Sequence, residues 1–386
     1  MNSYERAISA IELEEPDRVP LFEMHISPWI AKDLLRREPV AYNTPRILDL
    51  LAEKRNFRVN EAMAADLENI TRLTKLDFIR VPHGRNPSLK VRKIGKLRWL
   101  IGGTRYAWKS GTLWREELDF SKEIEIGQIV ESIKESIEKY ESGEYHYTFH
   151  VLKLLAKRLK GKFFLTFDSD GSWGPIVSNP PLLISVLKWM YTNPSLPKKL
   201  IDTYTDLAVK VGVMALEEGA DGILMCVDYG YSGGSWISPS NFRRFVKPAL
   251  ERQCKAFKKA GGFAILHSDG NIWSLMDDVV EAGIDSYQGV DVEAGMNLEL
   301  VKKKYGDKIS IIGNVSPVII EYGKPKAVVN EVKRCIRQAA WGGGYILSTS
   351  ANLSVNKNTE NFLLMIKALL RLGKYKQHIA SNVGYP

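Results

Sequence analysis

The chain has little cysteine and no long apolar run, and both absences narrow the class of protein it can be. Its three cysteines stand far apart among 386 residues and form no CxxC pair. This spacing argues against a disulfide framework and predicts a reducing, cytoplasmic compartment. The first residues form a charged amphipathic segment rather than a signal peptide. No apolar stretch approaches the roughly 18 residues that a membrane helix needs, so the sequence predicts a soluble intracellular protein.

Basic residues outnumber acidic ones, 54 to 45, which gives a net charge of +9. The excess is spread along the chain, is densest at residues 302–304, and favours an anionic ligand or an acidic partner weakly. No nucleic-acid-binding module is present, so nucleic acid is not expected as a partner. The glycine run at 342–344 follows a predicted helix and precedes a predicted strand. Phosphate loops run from strand to helix, so we interpret this run as a helix stop.

Short apolar segments alternate with amphipathic helical segments along most of the chain. This alternation is typical of an α/β protein, and eight strands with helices between them predict a (β/α)8 TIM barrel. Residues 88–118 differ, because aromatic and aliphatic residues there alternate with Lys, Arg and Gly, a pattern of antiparallel β-ribbon. We therefore predict one barrel domain over 1–386, with an insertion at about 84–160 that holds the ribbon and further helices. The predicted strands are 19–24, 76–81, 163–167, 222–227, 263–267, 286–288, 309–313 and 344–347.

Polar or ionisable side chains stand at the ends of all eight predicted strands. Each of them alone is more often a cap or a turn residue, but the carboxyl ends of barrel strands meet on one rim, where active sites lie. Carboxylates and imidazoles that converge there would shift one another's pKa values, as acid and base pairs require. These residues are Glu23 with His25, His83, Asp168 with Asp170, Asp228 with Tyr229, His267 with Asp269, Gln288 with Asp291, Asn314, and Ser348 with Ser350.

The stretch from 263 to 270 delivers a histidine and then a carboxylate to this rim. His267, Asp269 and Glu23 could supply a three-ligand Zn²⁺ site with an open position. Cys226 is interpreted as a buried structural thiol. Tyr229 and its neighbours in a glycine-rich loop are the aromatic residues best placed to contact an aromatic substrate.

Six sequence blocks, taken in order, resemble the uroporphyrinogen decarboxylase superfamily. The resemblance covers nearly the whole chain and is weakest in the ribbon. It implies a (β/α)8 barrel and one of two activities, tetrapyrrole decarboxylation or cobalamin-dependent methyl transfer. The blocks are Glu15-Pro16-Asp17-Arg18-Val19-Pro20, Ile237-Ser238-Pro239 with Phe242 and Pro248, His267-Ser268-Asp269-Gly270-Asn271, Gly283-Ile284-Asp285, Tyr305-Gly306-Asp307-Lys308 and Gly313-Asn314-Val315.

Two departures from the family patterns favour the methyltransferase branch and change its metal site. Decarboxylases carry arginines just after the first strand to hold propionates, whereas this chain has Glu23 and no arginine there. Asp77 has the spacing of the decarboxylase aspartate but begins a strand, far from the rim. In the methyltransferases a His-x-Cys pair and a later cysteine bind zinc. His267 matches that histidine, Asp269 replaces the first cysteine, and Ser348 or Ser350 falls near the second.

The resemblance therefore implies a methyltransferase of the O-demethylase type found in methylotrophy, which depends on a corrinoid protein. A site with oxygen ligands suits a methyl–oxygen or methyl–nitrogen bond, and an aromatic methyl ether is the favoured substrate. The acceptor would be cobalamin on a separate corrinoid protein, because no cobalamin-binding domain is identifiable in this chain. A tetrapyrrole decarboxylase and a non-catalytic binding protein remain alternatives, and a homodimer is allowed but not indicated. The predicted catalytic residues are Asp168, Asp228, Glu23 and His267, and the predicted substrate contacts are His25, His83, Tyr229, Asn314 and Ser348.

Overall fold

A ring of parallel strands forms the centre of the fold. A computed structural model of the chain describes residues 1–53, 58–86, 88–109, 112–116, 124–169, 171–353 and 358–375. The strands are β1 (Phe78–Val81), β2 (Val91–Gly95), β3 (Arg98–Ile101), β4 (Thr104–Lys109), β5 (Thr112–Arg115), β6 (Phe164–Asp168), β7 (Gly222–Cys226), β8 (Gly230–Tyr231), β9 (Gly234–Ser235), β10 (Phe263–Ser268), β11 (Ser286–Gly289), β12 (Ser310–Ile312) and β13 (Tyr345–Ile346). Seven of them pair in parallel in the order β1-β6-β7-β10-β11-β12-β13, and most of the connections between them are helical.

The eighth position of the ring is an extended segment at residues 20–22 rather than a regular strand. The Phe22 amide donates to the Leu347 carbonyl (3.0 Å) and the Leu347 amide donates to the Pro20 carbonyl (2.9 Å). On its other side, the Asp77 amide donates to the Leu21 carbonyl (2.9 Å). These bonds join the last strand to the first, and the predicted (β/α)8 barrel is confirmed.

The helices cover the outside of the ring, and none of those described is both long and apolar enough to cross a bilayer. Many begin at a side-chain cap followed by proline, as at Ser27-Pro28 and Asn179-Pro180, which satisfies free amide groups of the first turn. The helices are α1 (Ser3–Ile11), α2 (Pro28–Leu35), α3 (Thr44–Ala52), α4 (Val59–Thr74), α5 (Ile126–Glu141), α6 (His150–Leu159), α7 (Gly174–Val177), α8 (Pro180–Thr192), α9 (Ser195–Glu217), α10 (Pro239–Asn241), α11 (Lys247–Lys259), α12 (Met276–Glu281), α13 (Leu298–Tyr305), α14 (Pro317–Tyr322), α15 (Pro325–Ala339) and α16 (Thr359–Leu372).

Apolar side chains fill the interior of the barrel between its two ends. Inward-facing residues of the strands pack with α1, which covers the amino-terminal end, in one buried cluster. At that end the buried Asp77 carboxylate binds Arg6 (2.7 Å) and Arg18 (2.8 Å) and accepts from the Leu21 amide (2.8 Å). Asp77 therefore joins the first segments of the chain, as its position at the start of a strand predicts. The cluster contains Ala7, Ala10, Ile11, Phe22, Met24, Phe78, Phe164, Leu224, Ile265, Ile312 and Ile346.

The predicted ribbon is a four-stranded antiparallel sheet of β2, β3, β4 and β5. Its buried residue Trp99 donates from Nε1 to Asp49 on α3 (2.9 Å), and Lys93 pairs with the same carboxylate (2.8 Å). The sheet thus lies against α3, the second helix after the closing segment. Residues 117–118, which the prediction includes, lie outside the described residues.

Candidate active site

Three ionisable side chains meet at the carboxyl ends of two neighbouring strands, β7 and β10. The distance from His267 Nε2 to Asp228 Oδ1 is 3.4 Å and that to Asp269 Oδ1 is 3.8 Å. Parallel pairing sets His267 opposite Cys226, and Asp228 and Asp269 follow each of them by two residues, in the loops after the two strands. One ligand atom from each of the three lies within 4.8 Å of the others, close enough to bind one metal ion.

The backbone of the loops holds these carboxylates in place. Asp228 has a φ of +40°, which is strained for a residue with a side chain and is maintained here at a rim position. The Asp269 amide donates to Asp228 Oδ1 (3.0 Å), and the Gly270 amide donates to Asp291 Oδ2 (3.1 Å). Gly270 has φ +82°, and a Cβ there would lie 2.3 Å from Gly230. The loops after β7 and β10 therefore fit together only with glycine at that position.

A chain of buried hydrogen bonds determines which nitrogen of His267 carries a proton. The Gln288 amide nitrogen donates to the Thr349 carbonyl (3.2 Å), which can only accept. The amide oxygen of Gln288 must then face His267 Nδ1, with which it makes a short hydrogen bond. Because that oxygen also only accepts, Nδ1 carries the hydrogen. Nε2 is left to bind a proton or a metal ion beside Asp228 and Asp269.

The charges of this cluster oppose the effect of burial. Burial disfavours the imidazolium of His267, but the nearby Asp269 and Asp228 outweigh it and raise the pKa of His267. Burial also disfavours the ionised form of Asp228, but the hydrogen bond with His267 outweighs it and lowers the pKa of Asp228. Asp269 shares the site with other carboxylates, and burial with their charge raises its pKa to about 6. Within the part of the chain that the structure describes, its buried Oδ1 has no hydrogen-bond partner. An atom of this kind in a low-dielectric site favours a bound cation or proton.

An arginine that the sequence analysis did not select lies on the opposite side of the mouth. Arg80 on β1 binds the Asp168 carboxylate with Nε and Nη2, both at 2.8 Å, and donates to the Met24 carbonyl (3.1 Å). Nε2 of His83 donates to the Asp168 carbonyl (2.7 Å), and the His83 ring stacks on Phe167. The Asp168 carboxylate is therefore neutralised by a guanidinium. Arg80 stands two positions after the inward-facing Phe78, so strand alternation could have identified it.

Glu23 and His25 are brought to the mouth but not to the metal cluster. Glu23 is buried, accepts from the amide (3.2 Å) and Oγ1 (2.6 Å) of Thr349, and has its pKa raised to about 8 by burial. The predicted metal trio is thus wrong in one member, because Thr349 holds Glu23 and Asp228 joins His267 and Asp269. Burial and the charge of Arg80 lower the pKa of His25 to about 4. Its ring lies edge-on to Tyr42 (5.3 Å), a residue not predicted for the site.

Three predicted substrate contacts are buried in the protein. Tyr229 packs edge-on against Phe242 (5.1 Å) and is 1% exposed, so it cannot stack on a substrate at the mouth. The exposed aromatic pair in its loop is Tyr231 with Trp236, whose ring centroids are 4.7 Å apart. The Asn314 amide donates to the Val290 carbonyl (2.9 Å) and accepts from Arg334 (3.0 Å). Asn314 and Ser348 are fully buried, and neither side chain offers an exposed atom to a substrate.

Two further features of the rim concern single residues. Arg85, in the loop after β1, is partly buried, and its Nε has no hydrogen-bond partner among the described residues; burial lowers its pKa. Cys226 was expected to be a buried thiol, but it is only partly buried. Its Sγ lies 3.7 Å from Arg80 Nη2, and it is not part of the Asp228–His267–Asp269 cluster. Asp170, which was predicted at the end of the same strand as Asp168, lies outside the described residues.

The fold and the polar rim together define a (β/α)8 barrel protein with its candidate site at the carboxyl ends of the strands. The profile of the family described as uroporphyrinogen decarboxylase (URO-D) matches residues 124–372. That match covers more than half of the chain, and the chain belongs to this enzyme family, as the sequence blocks predicted.

Relatives found by sequence and by structure share low sequence identity with this chain. The uroporphyrinogen decarboxylase of Aliivibrio salmonicida is 20% identical over 245 residues, which is 60% of this chain and 66% of that protein. The one from Chlorobium phaeobacteroides is 23% identical over 154 residues, 39% of this chain and 41% of that protein. The chain thus spans less than two thirds of the length of these relatives. The solved structure of a methyltransferase from Methanosarcina mazei aligns with TM-score 0.67 and 16% identity, over 96% of this chain and 99% of that one.

Proposed function

We propose that this protein is a corrinoid-dependent methyltransferase. It would remove a methyl group from a small methylated compound, with an aromatic methyl ether favoured, and deliver it to cobalamin on a partner protein. The observation that carries the proposal is the Asp228–His267–Asp269 cluster with its unpartnered buried Asp269 oxygen. A decarboxylase of tetrapyrroles would have no use for a three-ligand cation site at this position.

The donor set of the cluster fits Zn²⁺. One imidazole nitrogen and two carboxylate oxygens are ordinary zinc ligands, and three protein ligands leave a position for a substrate. The hydrogen bond of His267 Nδ1 to Gln288 is the second contact that zinc-binding histidines usually make. When bound there, the metal would supply a Lewis acid for the oxygen that loses its methyl group.

The remaining chemistry belongs to the residues of the chain. Asp269, with a pKa of about 6, is mainly ionised at neutral pH, as a carboxylate that binds a metal ion must be. The Arg80–Asp168 pair and the neutral His25 make the other side of the mouth polar without a net charge. Tyr231 and Trp236 expose aromatic faces in the loop after β7 and suit an aromatic ring. The substrate would then lie between a neutral side and the Asp228–His267–Asp269 side.

Uroporphyrinogen decarboxylation is the second candidate, because the family match favours it. Its substrate carries eight carboxylates, and the mouth of this barrel presents mainly carboxylates of its own. Asp228 and Asp269 are partly exposed there, and Arg80 is already paired with Asp168. Like charges at a binding site disfavour such a ligand by electrostatic repulsion.

A demethylation screen separates the two candidates. Methoxybenzoates, methoxyphenols, methylamines and methanethiol would be incubated with the protein and reduced corrinoid protein, and methylcobalamin would be followed by its absorbance. Turnover of a methoxylated aromatic is expected, and no turnover on any donor would refute the proposal. A parallel assay with uroporphyrinogen and no cofactor should release no carbon dioxide.

Metal analysis tests the cluster without relying on turnover. The purified protein is expected to bind one equivalent of zinc, and His267→Ala and Asp228→Ala are each expected to lose it. Glu23→Gln is the matched control at the same rim, because the carboxylate of Glu23 contacts Thr349 rather than the cluster. Unchanged zinc content in His267→Ala would remove that histidine from the site.

A further inference from the structure

The four-stranded ribbon holds most of the net charge of the protein, so the prediction that the basic excess is spread along the chain is wrong. Residues 88–116 contain eight basic side chains and one acidic side chain, against a net charge of +9 for the whole chain. Residues 117–123, outside the described ranges, add three acidic side chains and one basic side chain. The sheet therefore produces a local positive potential that is much higher than the average for the surface.

Strand register assigns these charges to two faces. Trp99 pairs with Tyr106 across β3 and β4 and is fully buried, so the face of Trp99 lies against the barrel. Leu100 lies between Arg92 and Arg105 in register, on the opposite face. A cavity of about 460 Å³ opens on that outer face. Its walls are formed by Arg92, Ile94, Arg98, Leu100, Gly103, Arg105 and Glu116.

The outer face mixes arginine with exposed apolar side chains. Trp114 is 48% exposed and Ile94 is 39% exposed. Trp and Arg are the residues most enriched at the energetic centres of protein interfaces. Glu116 pairs with Arg98 (Nε to Oε1, 2.8 Å), and the surplus of positive charge on the face remains. A surface of this composition is complementary to a protein surface that is acidic at its rim and apolar at its centre.

The ribbon is inserted into a connection that leaves the rim of the barrel. It follows β1 and its loop, which begins at the carboxyl end of the barrel strand, and its inner face binds Asp49 on α3. α3 comes after α2 in the connection that leaves the closing segment at residues 20–22. The sheet is thus held by two connections that begin at the carboxyl ends of neighbouring segments of the ring.

We propose that the outer face of the ribbon is the docking surface for an acidic protein, the one that carries the corrinoid acceptor. This inference rests on the proposed function for the identity of the partner. The arginines would guide and orient the acidic partner, and Trp114 with Ile94 would supply the apolar centre of the interface.

Charge reversal with two acceptors tests the surface. Arg92→Glu/Arg105→Glu reverses two charges on the outer face. Lys333→Glu/Lys367→Glu makes the same change on exposed positions in the middle of α15 and α16. Methyl transfer from a methoxybenzoate would be measured with the purified corrinoid protein and, separately, with free cob(I)alamin. The ribbon variant is expected to lose at least about tenfold in kcat/KM with the protein acceptor only, with a weaker dependence on salt. The lysine variant should match wild type with both acceptors.

The outcomes separate this inference from the proposed function. A ribbon variant that equals wild type with the protein acceptor would overturn the docking surface, as would an equal loss with both acceptors. Wild type that is inactive with both acceptors would count against the proposed function instead. In that case calorimetry of the same variants with the apo corrinoid protein decides the docking surface, and equal affinity of all variants would overturn it. Binding of duplex DNA would be measured for the same variants. If the ribbon variant loses affinity for DNA but not for the corrinoid protein, the outer face binds nucleic acid and the docking proposal is overturned.

Discussion

Replacing Gln288 by leucine is the sharpest test of how His267 is prepared for a metal ion. The side chain is fully buried and joins the Thr349 carbonyl to His267 Nδ1. Leucine fills a similar volume but leaves both partners without a hydrogen bond. Each unpaired buried group costs about 1–3 kcal/mol, so we expect the loss of both hydrogen bonds to lower the free energy of unfolding by about 2–6 kcal/mol. Zinc affinity should fall by about 10- to 100-fold, because the ring loses the contact that sets its orientation.

The measurements are urea denaturation and competitive zinc titration with a chromophoric chelator. Gln128→Leu is the matched control, since Gln128 is exposed and bonds only to Glu125 on the surface. This control should change the unfolding free energy by less than about 0.5 kcal/mol and should leave zinc affinity as in wild type. Gln288→Leu with wild-type zinc affinity would refute the argument that the Thr349–Gln288 chain selects the His267 tautomer, whatever happened to stability.

Three further predictions concern the rest of the mouth and the buried tyrosine. Arg80→Met should lower the free energy of unfolding by about 2 kcal/mol. This is less than for a fully buried ion pair, because Arg80 and Asp168 both keep some exposure. A double-mutant cycle of Arg80→Met and Asp168→Asn, measured by urea denaturation, should show coupling between the two changes, and additive effects would contradict the prediction. Burial raises the pKa of Glu23 from 4.5 to about 8, so its contribution to stability is full below pH 4.5 and is lost as the pH rises through 8. Glu23→Gln cannot ionise at this position and so does not lose this stability. The unfolding free energy of the variant minus that of wild type should therefore increase between pH 5 and pH 8, roughly the interval between the two pKa values. A difference that does not change with pH would exclude the raised pKa of Glu23. Tyr229→Leu should destabilise the fold by about 1–3 kcal/mol, because packing against Phe242 is lost, and should leave KM for an aromatic substrate unchanged. A raised KM without destabilisation would instead show that Tyr229 contacts the substrate.

The barrel could be predicted because its signal is local and repeated. Each strand is a short apolar run between turn residues, as at 222–227 and 263–267, and a parallel strand buried on both faces requires such a run. The polar strand ends follow from the same reasoning. Arg80 was missed because it interrupts an apolar run, although its spacing from Phe78 places it on the inner face.

The composition of the metal cluster could not be predicted, because it depends on contacts between distant segments. Glu23 was the expected third ligand, and the hydroxyl and amide of Thr349, 326 residues further along, hold it instead. Asp228 reaches His267 only through a backbone turn with positive φ. Tyr229 was expected at the mouth because it follows Asp228, but that turn directs its ring to Phe242. The alternation of side chains ends where a strand ends, so it does not predict the direction of side chains in the loops that follow.

The two sides of the mouth differ in charge, and this difference narrows the chemistry that the site can perform. On the β1 and β6 side, Arg80 cancels Asp168 and burial keeps His25 neutral at pH 7. On the β7 and β10 side, Asp228 and Asp269 face one imidazole, and the charge is balanced only by a proton or a cation. A cation held there by oxygen ligands is harder than one held by thiolates and binds an oxygen leaving group in preference to sulfur. If the proposed function holds, the aspartate at position 269 would favour methyl ethers over thiols, and Asp269→Cys is the single change expected to reverse that preference in the demethylation screen.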